Sequence, residues 1–149
     1  MKTFVYPLLK QKFPELNERE LLSRDFDLAR VREKVSVISR PYPEPFTSCF
    51  VPRAIGGVII VSHKLYGITR QFYEWYELGR YYLHAPRYLD DYRLWLRPEK
   101  DVTEAQALPL LALMPYSRLS QYITGFEKRR GFIRWLIKRR IYLFDKFGI

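Results

Sequence analysis

Cysteine is almost absent. Cys49 stands alone in 149 residues, which excludes an intramolecular disulfide framework and a multi-cysteine zinc knuckle. Histidine numbers two, so the side chains open to a metal are His63, His84, Glu77, Glu104, Asp90, Asp91 and Cys49. No apolar run approaches the ~20 residues that a membrane span needs. Residues 1–9 hold one Lys and a short apolar stretch broken by Pro7, so no signal peptide is expected. The seven glycines supply no phosphate loop, because Gly56-Gly57 lacks the spacing and the following Lys such a loop requires. None of the serines has the strand-to-helix setting of a nucleophile elbow. There is no repeat, low-complexity tract or Gly/Ser linker. Asn occurs once, at Asn17, and Gln four times; few amides suit a hot environment.

What is abundant is positive charge. Lys and Arg number 26 against 16 Asp and Glu, a net charge of +10 and a pI near 9.8. From Phe126 to Ile149 there are eight basic residues and two acidic ones, so more than half of the net charge lies in the last sixth of the chain. The length suits one domain, and a core that folds without staples is available. A soluble, cytoplasmic protein is the expectation.

Residues 1–17 read as an N-terminal arm or short docked segment, and 18–149 as a single domain ending in a basic amphipathic helix. Asn17 followed by Glu20 has the spacing of a helix cap with its box partner, so a helix is expected from Glu18 to about Lys34, interrupted near Asp25. Val35, Val37 and Ile38 alternate with Ser and read as a short strand. Arg40 to Pro45 is punctuated by proline and cannot be helix. Thr47 to Val51 and Gly57 to Val61 are β-branched and apolar, two further strands joined by a turn at Pro52 to Gly56. Ile68 to His84 is a long helix, with Ile68, Phe72, Trp75, Leu78, Tyr82 and Leu83 mostly at three- and four-residue steps. Arg87 to Pro98 reads as a short helix. Thr103 to Leu113, Ser117 to Thr124 and Phe132 to Lys146 are the remaining helices, the first ending at Met114-Pro115. The class is α+β: a small three-stranded sheet packed with one long helix and several others.

The long helix carries the sequence RQFYEWYELGRYYLH, Arg70 to His84. It resembles the active-site helix of the ImmA/IrrE family of zinc metallopeptidases, in which an aromatic lead-in precedes H-E-L-G-H. GGVIIVSHKL (Gly56 to Leu65) looks like that family's edge strand. EAQALPLLALMP (Glu104 to Pro115) looks like its second motif, and RRIYLFDKFGI (Arg139 to Ile149) is similar to its last helix. The four stretches occur in the family's order across roughly residues 18 to 149. The resemblance implies a zincin-like fold.

The departures from the family pattern decide the expected activity. Two imidazoles four residues apart on a helix share one face and make half of a tetrahedral zinc site. The Glu between them serves as general base on the metal-bound water. Here the two His positions are Tyr76 and Arg80, while Glu77 matches the catalytic Glu and Glu104 the third ligand. A guanidinium stays protonated and has no lone pair to offer a metal, and a neutral phenol is a poor ligand. Tyr76, Glu77, Arg80 and Glu104 are therefore relic positions with no catalytic role, and no metal or other cofactor is expected. Arg80 is expected either to bridge the former cavity to Glu104 in a bidentate fork or to point to solvent. His84, seven residues beyond Glu77 and about 10 Å along the axis, reads as a helix-terminal His. Cys49 reads as a buried strand residue.

The resemblance implies a pseudoenzyme that works by protein–protein interaction, since the family's active members look like regulators that cleave helix-turn-helix repressors. The expected partner is a transcription regulator or part of the transcription machinery. A phage or mobile element is one source of such shortened, diverged regulators. Partner-binding residues are expected at Arg129, Arg130, Arg134, Lys138 and Arg139. Two alternatives stay open: a basic nucleic-acid-binding protein, neutralising phosphates with little sequence choice, and a peptidase with a relocated metal. For the last helix itself, a solvated basic face, a contact with nucleic acid or an acidic protein, and membrane-surface attachment all fit the pattern.

Overall fold

The computed structural model describes residues 5–84 and 104–149. The short helix expected over Arg87 to Pro98, and the candidate ligands Asp90 and Asp91, lie outside them. The fold is α+β, with a three-stranded sheet and, among the described residues, six α-helices. Two compact units are distinguished: Met1–Leu22 with Leu110–Ile149, and Ser23–Pro109.

The Ser23–Pro109 unit holds α1 (Ser23–Arg32), β1 (Val35–Arg40), β2 (Ser48–Pro52), β3 (Gly57–Ser62) and α2 (Gly67–Leu83). The sheet order is β1-β3-β2, with β1 parallel to β3 and β2 antiparallel to it. The central strand β3 is buried along nearly its whole length, as its unbroken GVIIV run requires of a strand covered on both faces. The β2–β3 turn depends on Gly56, whose φ is +70°; a Cβ there would collide with the carbonyl of Lys34. Helix α2 packs on β2 and β3, and Trp75 meets Phe26 of α1 edge-on at 5.2 Å. Gly79 lets α2 approach the chain after residue 103 closely: a Cβ would lie 3.1 Å from the Ala105 oxygen and 3.3 Å from Leu108 Cβ.

Two expectations for this unit are corrected. The helix predicted from Glu18 starts at Ser23, and it buries only Phe26 and Ala29, leaving Leu28 and Val31 exposed. A ten-residue helix has room for a narrow buried stripe, and the mixed spacing of its apolar residues puts the rest outside. Ile68, counted with the buried face of α2, is exposed at the first turn.

The other unit contains α3 (Val5–Lys12), with Val5 and Leu9 buried one turn apart. Pro7 falls in its first turn, where a missing N–H breaks no helical bond. Helix α4 (Ala107–Leu113) spans the division at Pro109, which again lies in a first turn. After Met114-Pro115 come a 3₁₀ turn (Tyr116–Arg118), α5 (Leu119–Gly125), a second 3₁₀ turn (Phe126–Lys128) and α6 (Gly131–Phe147). The core of this unit is built from Leu9, Leu16, Leu111, Leu119, Leu136 and Leu143.

Asn17 is not a helix cap. Its φ is +69°, its carbonyl and its Oδ1 both accept from the Tyr116 N–H, and Oδ1 also accepts from Nη2 of Arg140 at 2.9 Å. Asn tolerates the left-handed region and bonds back to nearby main chain, so one residue type serves turn and cap alike. Arg140, part of the basic run, is wholly buried. It donates to the Met114 oxygen at 2.6 Å, the Ile149 oxygen at 2.8 Å and Asn17. Burial holds its guanidinium down at about 10.

Candidate functional site

The Ser23–Pro109 unit collects the polar side chains of α2 on its packed side. The 3.6-residue repeat puts Phe72, Trp75, Tyr76 and Gly79 on one face, and from Trp75 to Arg80 the helix is buried all round, so Glu77 and Arg80 are covered as well. Glu77 is 0% exposed and Arg80 4% exposed. Oε1 of Glu77 accepts from the Ser48 hydroxyl at 3.1 Å. Its Oε2 lies 3.8 Å from Nη1 of Arg80. A strand hydroxyl and a guanidinium thus flank one buried carboxylate. Tyr76 is buried in aromatic packing, stacked on Phe72 at 6.3 Å and met edge-on by Tyr73.

Arg80 neither points to solvent nor forms a fork with Glu104 among the interactions of the described residues. Its nearest described carboxylate is one turn back on its own helix, at i−3, a spacing that makes two side chains neighbours. Glu104 instead meets His84: Oε2 to Nε2 is 3.4 Å, with both residues buried. His84 ends α2 as expected, its N–H donating to the Arg80 oxygen at 2.8 Å. Its side chain, though, turns inward to the carboxylate. Cys49 is buried in β2.

Ser48 was legible only as a serine without a catalytic setting. The available signal is a lone hydroxyl residue opening the apolar stretch of β2, the strand on which α2 packs.

Arg80 and Tyr76 do not fit a zinc ion. Arg80 repels a cation, and Tyr76 is committed to ring packing. Among the described residues no group of three or more His, Cys, Asp or Glu side chains could hold a metal. His84 with Glu104 supplies two donors, short of the three protein ligands of a catalytic site. What the arrangement can do is fix side chains.

A second polar cluster lies where α1 and α2 meet. Glu33 accepts from Tyr81 at 2.8 Å and from Tyr82 at 3.3 Å, and Arg32 donates to the Tyr82 hydroxyl at 3.1 Å. Burial, with the Glu33 carboxylate beside them, pushes both phenols up to about 12.

The expected partner-binding residues lie in the other unit. Arg129, Arg130 and Lys138 are exposed, while Arg134 and Arg139 are half-buried. Arg134 lies over the Phe126 ring at 4.2 Å. No described helix is long and apolar enough to cross a membrane. Compared with protein-family models, with curated proteins and with solved structures, the chain matches none.

Proposed function

We propose that this chain is a catalytically inactive relative of the ImmA/IrrE peptidases that works by binding a protein partner, either a transcription regulator or a part of the transcription machinery. A phage or mobile element is the origin this reading favours. The observation that carries it is Arg80. At the position of the second imidazole stands a buried guanidinium, 3.8 Å from the carboxylate that corresponds to the general base. A fixed positive charge takes over the part a zinc ion would play toward Glu77, and it binds no water to activate. Ser48 engages the other carboxylate oxygen. With no nucleophile prepared among the described residues, this reading assigns binding to the domain, and the exposed charges of Arg129, Arg130 and Lys138, with Arg134 and Arg139, are where we place the contact.

The test is affinity capture of tagged protein from its source cells, with and without nuclease. A transcription regulator or a subunit of the transcription machinery should be recovered in both cases. Arg134→Glu with Lys138→Glu should weaken the recovery, and added salt should weaken it too. Recovery of nucleic acid with no protein partner overturns the reading in favour of a nucleic-acid-binding protein. Peptide hydrolysis that a chelator abolishes overturns it in favour of a peptidase.

A further inference from the structure

The outer side of α6 carries large rings and cations in alternation. Trp135 and Tyr142 are 37% and 44% exposed. They are seven residues apart, two turns and about 10 Å along the helix. Arg139 lies between them, its guanidinium carbon 6.0 Å from the Trp135 centroid and 5.7 Å from that of Tyr142. Lys146 stands over the far side of the series, with Nζ 5.4 Å from the Tyr142 centroid and 2.9 Å from its hydroxyl. Lys138 is exposed beside them. At 100° per residue these five positions share one side of the helix, centred about 120° away from Leu136, Ile137 and Leu143, which are buried in the core of the unit.

We infer that this stripe is the docking surface for an acidic segment of a protein that also carries apolar side chains. The inference rests on the partner-binding reading above and gives that partner its chemistry. Three arguments select the occupant. The cations call for an anionic partner, and contact with the rings holds them in place, so little side-chain freedom is lost on binding. Exposed Trp and Tyr next to Arg is the composition of an interface centre, and only a partner with apolar groups gives those rings something to bury. Single-stranded nucleic acid would stack bases on open ring faces. Here Phe132 is stacked on Trp135 at 5.5 Å and cations lie over both rings, so each base would have to displace a neighbour. A helix lying on a membrane inserts its apolar face, and that face of α6 is already in the core.

The test uses the purified full chain and fluorescence anisotropy. The probes are a labelled synthetic peptide of alternating Glu and Leu, a poly-Glu peptide of equal length, single- and double-stranded oligonucleotides, and phosphatidylserine vesicles. The Glu–Leu peptide should bind about tenfold more tightly than poly-Glu, a gap of about 1.4 kcal/mol. Trp135→Ala with Tyr142→Ala should remove that gap. Lys138→Glu with Lys146→Glu, at exposed positions, should abolish binding of both peptides while circular dichroism stays unchanged. Oligonucleotides or vesicles bound more tightly than the Glu–Leu peptide, no peptide binding, or ring substitutions without effect would each overturn the inference. A partner captured from cells equally well by the ring variant also overturns it while leaving the proposed function standing. Peptide binding with no cellular protein partner does the reverse.

Discussion

Nε2 of His84 and Oε2 of Glu104 lie 3.4 Å apart in a buried setting. The pairing draws Glu104 to the end of α2 and leaves Arg80 to the other carboxylate, Glu77, 3.8 Å away. The two buried carboxylates are met by two separate side chains, at one turn's spacing along the chain.

Arg80→Met should therefore destabilise the protein by about 3–5 kcal/mol, because a buried carboxylate loses its neighbouring cation. Arg80→Met with Glu77→Gln should recover much of the loss, since the uncompensated charge goes too. Urea unfolding of the two single variants and the double variant measures this. Additive effects would show that the two side chains do not interact.

Asn17→Ala should cost about 1–3 kcal/mol, the penalty for removing an acceptor from a buried donor. Its target is Arg140, which is wholly buried and meets Asn17 at 2.9 Å. Asn17→Gly isolates the side chain's share, because glycine accepts the φ of +69° without strain. Gly should be less harmful than Ala but still worse than Asn. A Gly variant as stable as the native protein would assign the whole effect to the backbone.

Alkaline pH should weaken the Ser23–Pro109 unit through Tyr81 and Tyr82. Their phenols are raised from the ordinary 10 to about 12 in the folded protein. The folded state then holds protons that the unfolded state has released. Stability from this source is complete below pH 10 and is lost as the pH climbs through 12. Arg140, in the other unit, works in the opposite sense, since burial holds its guanidinium down at about 10. Phenolate absorbance should show two tyrosines titrating late, and Glu33→Gln should bring both back toward 10.

The elements that the sequence made legible are those with an unambiguous local pattern. GVIIV and TSCFV have few stable settings other than strands, and the long helix repeats its apolar residues over five turns. Side-chain partnerships were less visible. Asn17 satisfies the cap rule and the left-handed turn rule alike, and only the position of Tyr116 and Arg140 decides between them. Arg140 sits in a run of cations that all look solvent-bound, yet it falls on the helix face of Leu136, Ile137 and Leu143. Arg80 was expected to reach Glu104 or solvent, but Glu104 meets His84, whose inward orientation no spacing rule supplies.

Introducing two imidazoles tests the proposed relation to the peptidases. Tyr76→His with Arg80→His should introduce zinc binding, with Glu104 leaving His84 to serve as the third ligand. Isothermal titration with zinc should then detect one site per chain. A folded double variant without zinc affinity would mean that α2 and the Glu104 turn are not arranged as in the peptidases.

The central claim is that the unaltered protein fixes its buried carboxylates with its own side chains, not with a metal. The most direct measurement is the zinc content per chain of protein purified without chelators. The account predicts none at stoichiometric level. One zinc per chain, retained through dialysis, would contradict it.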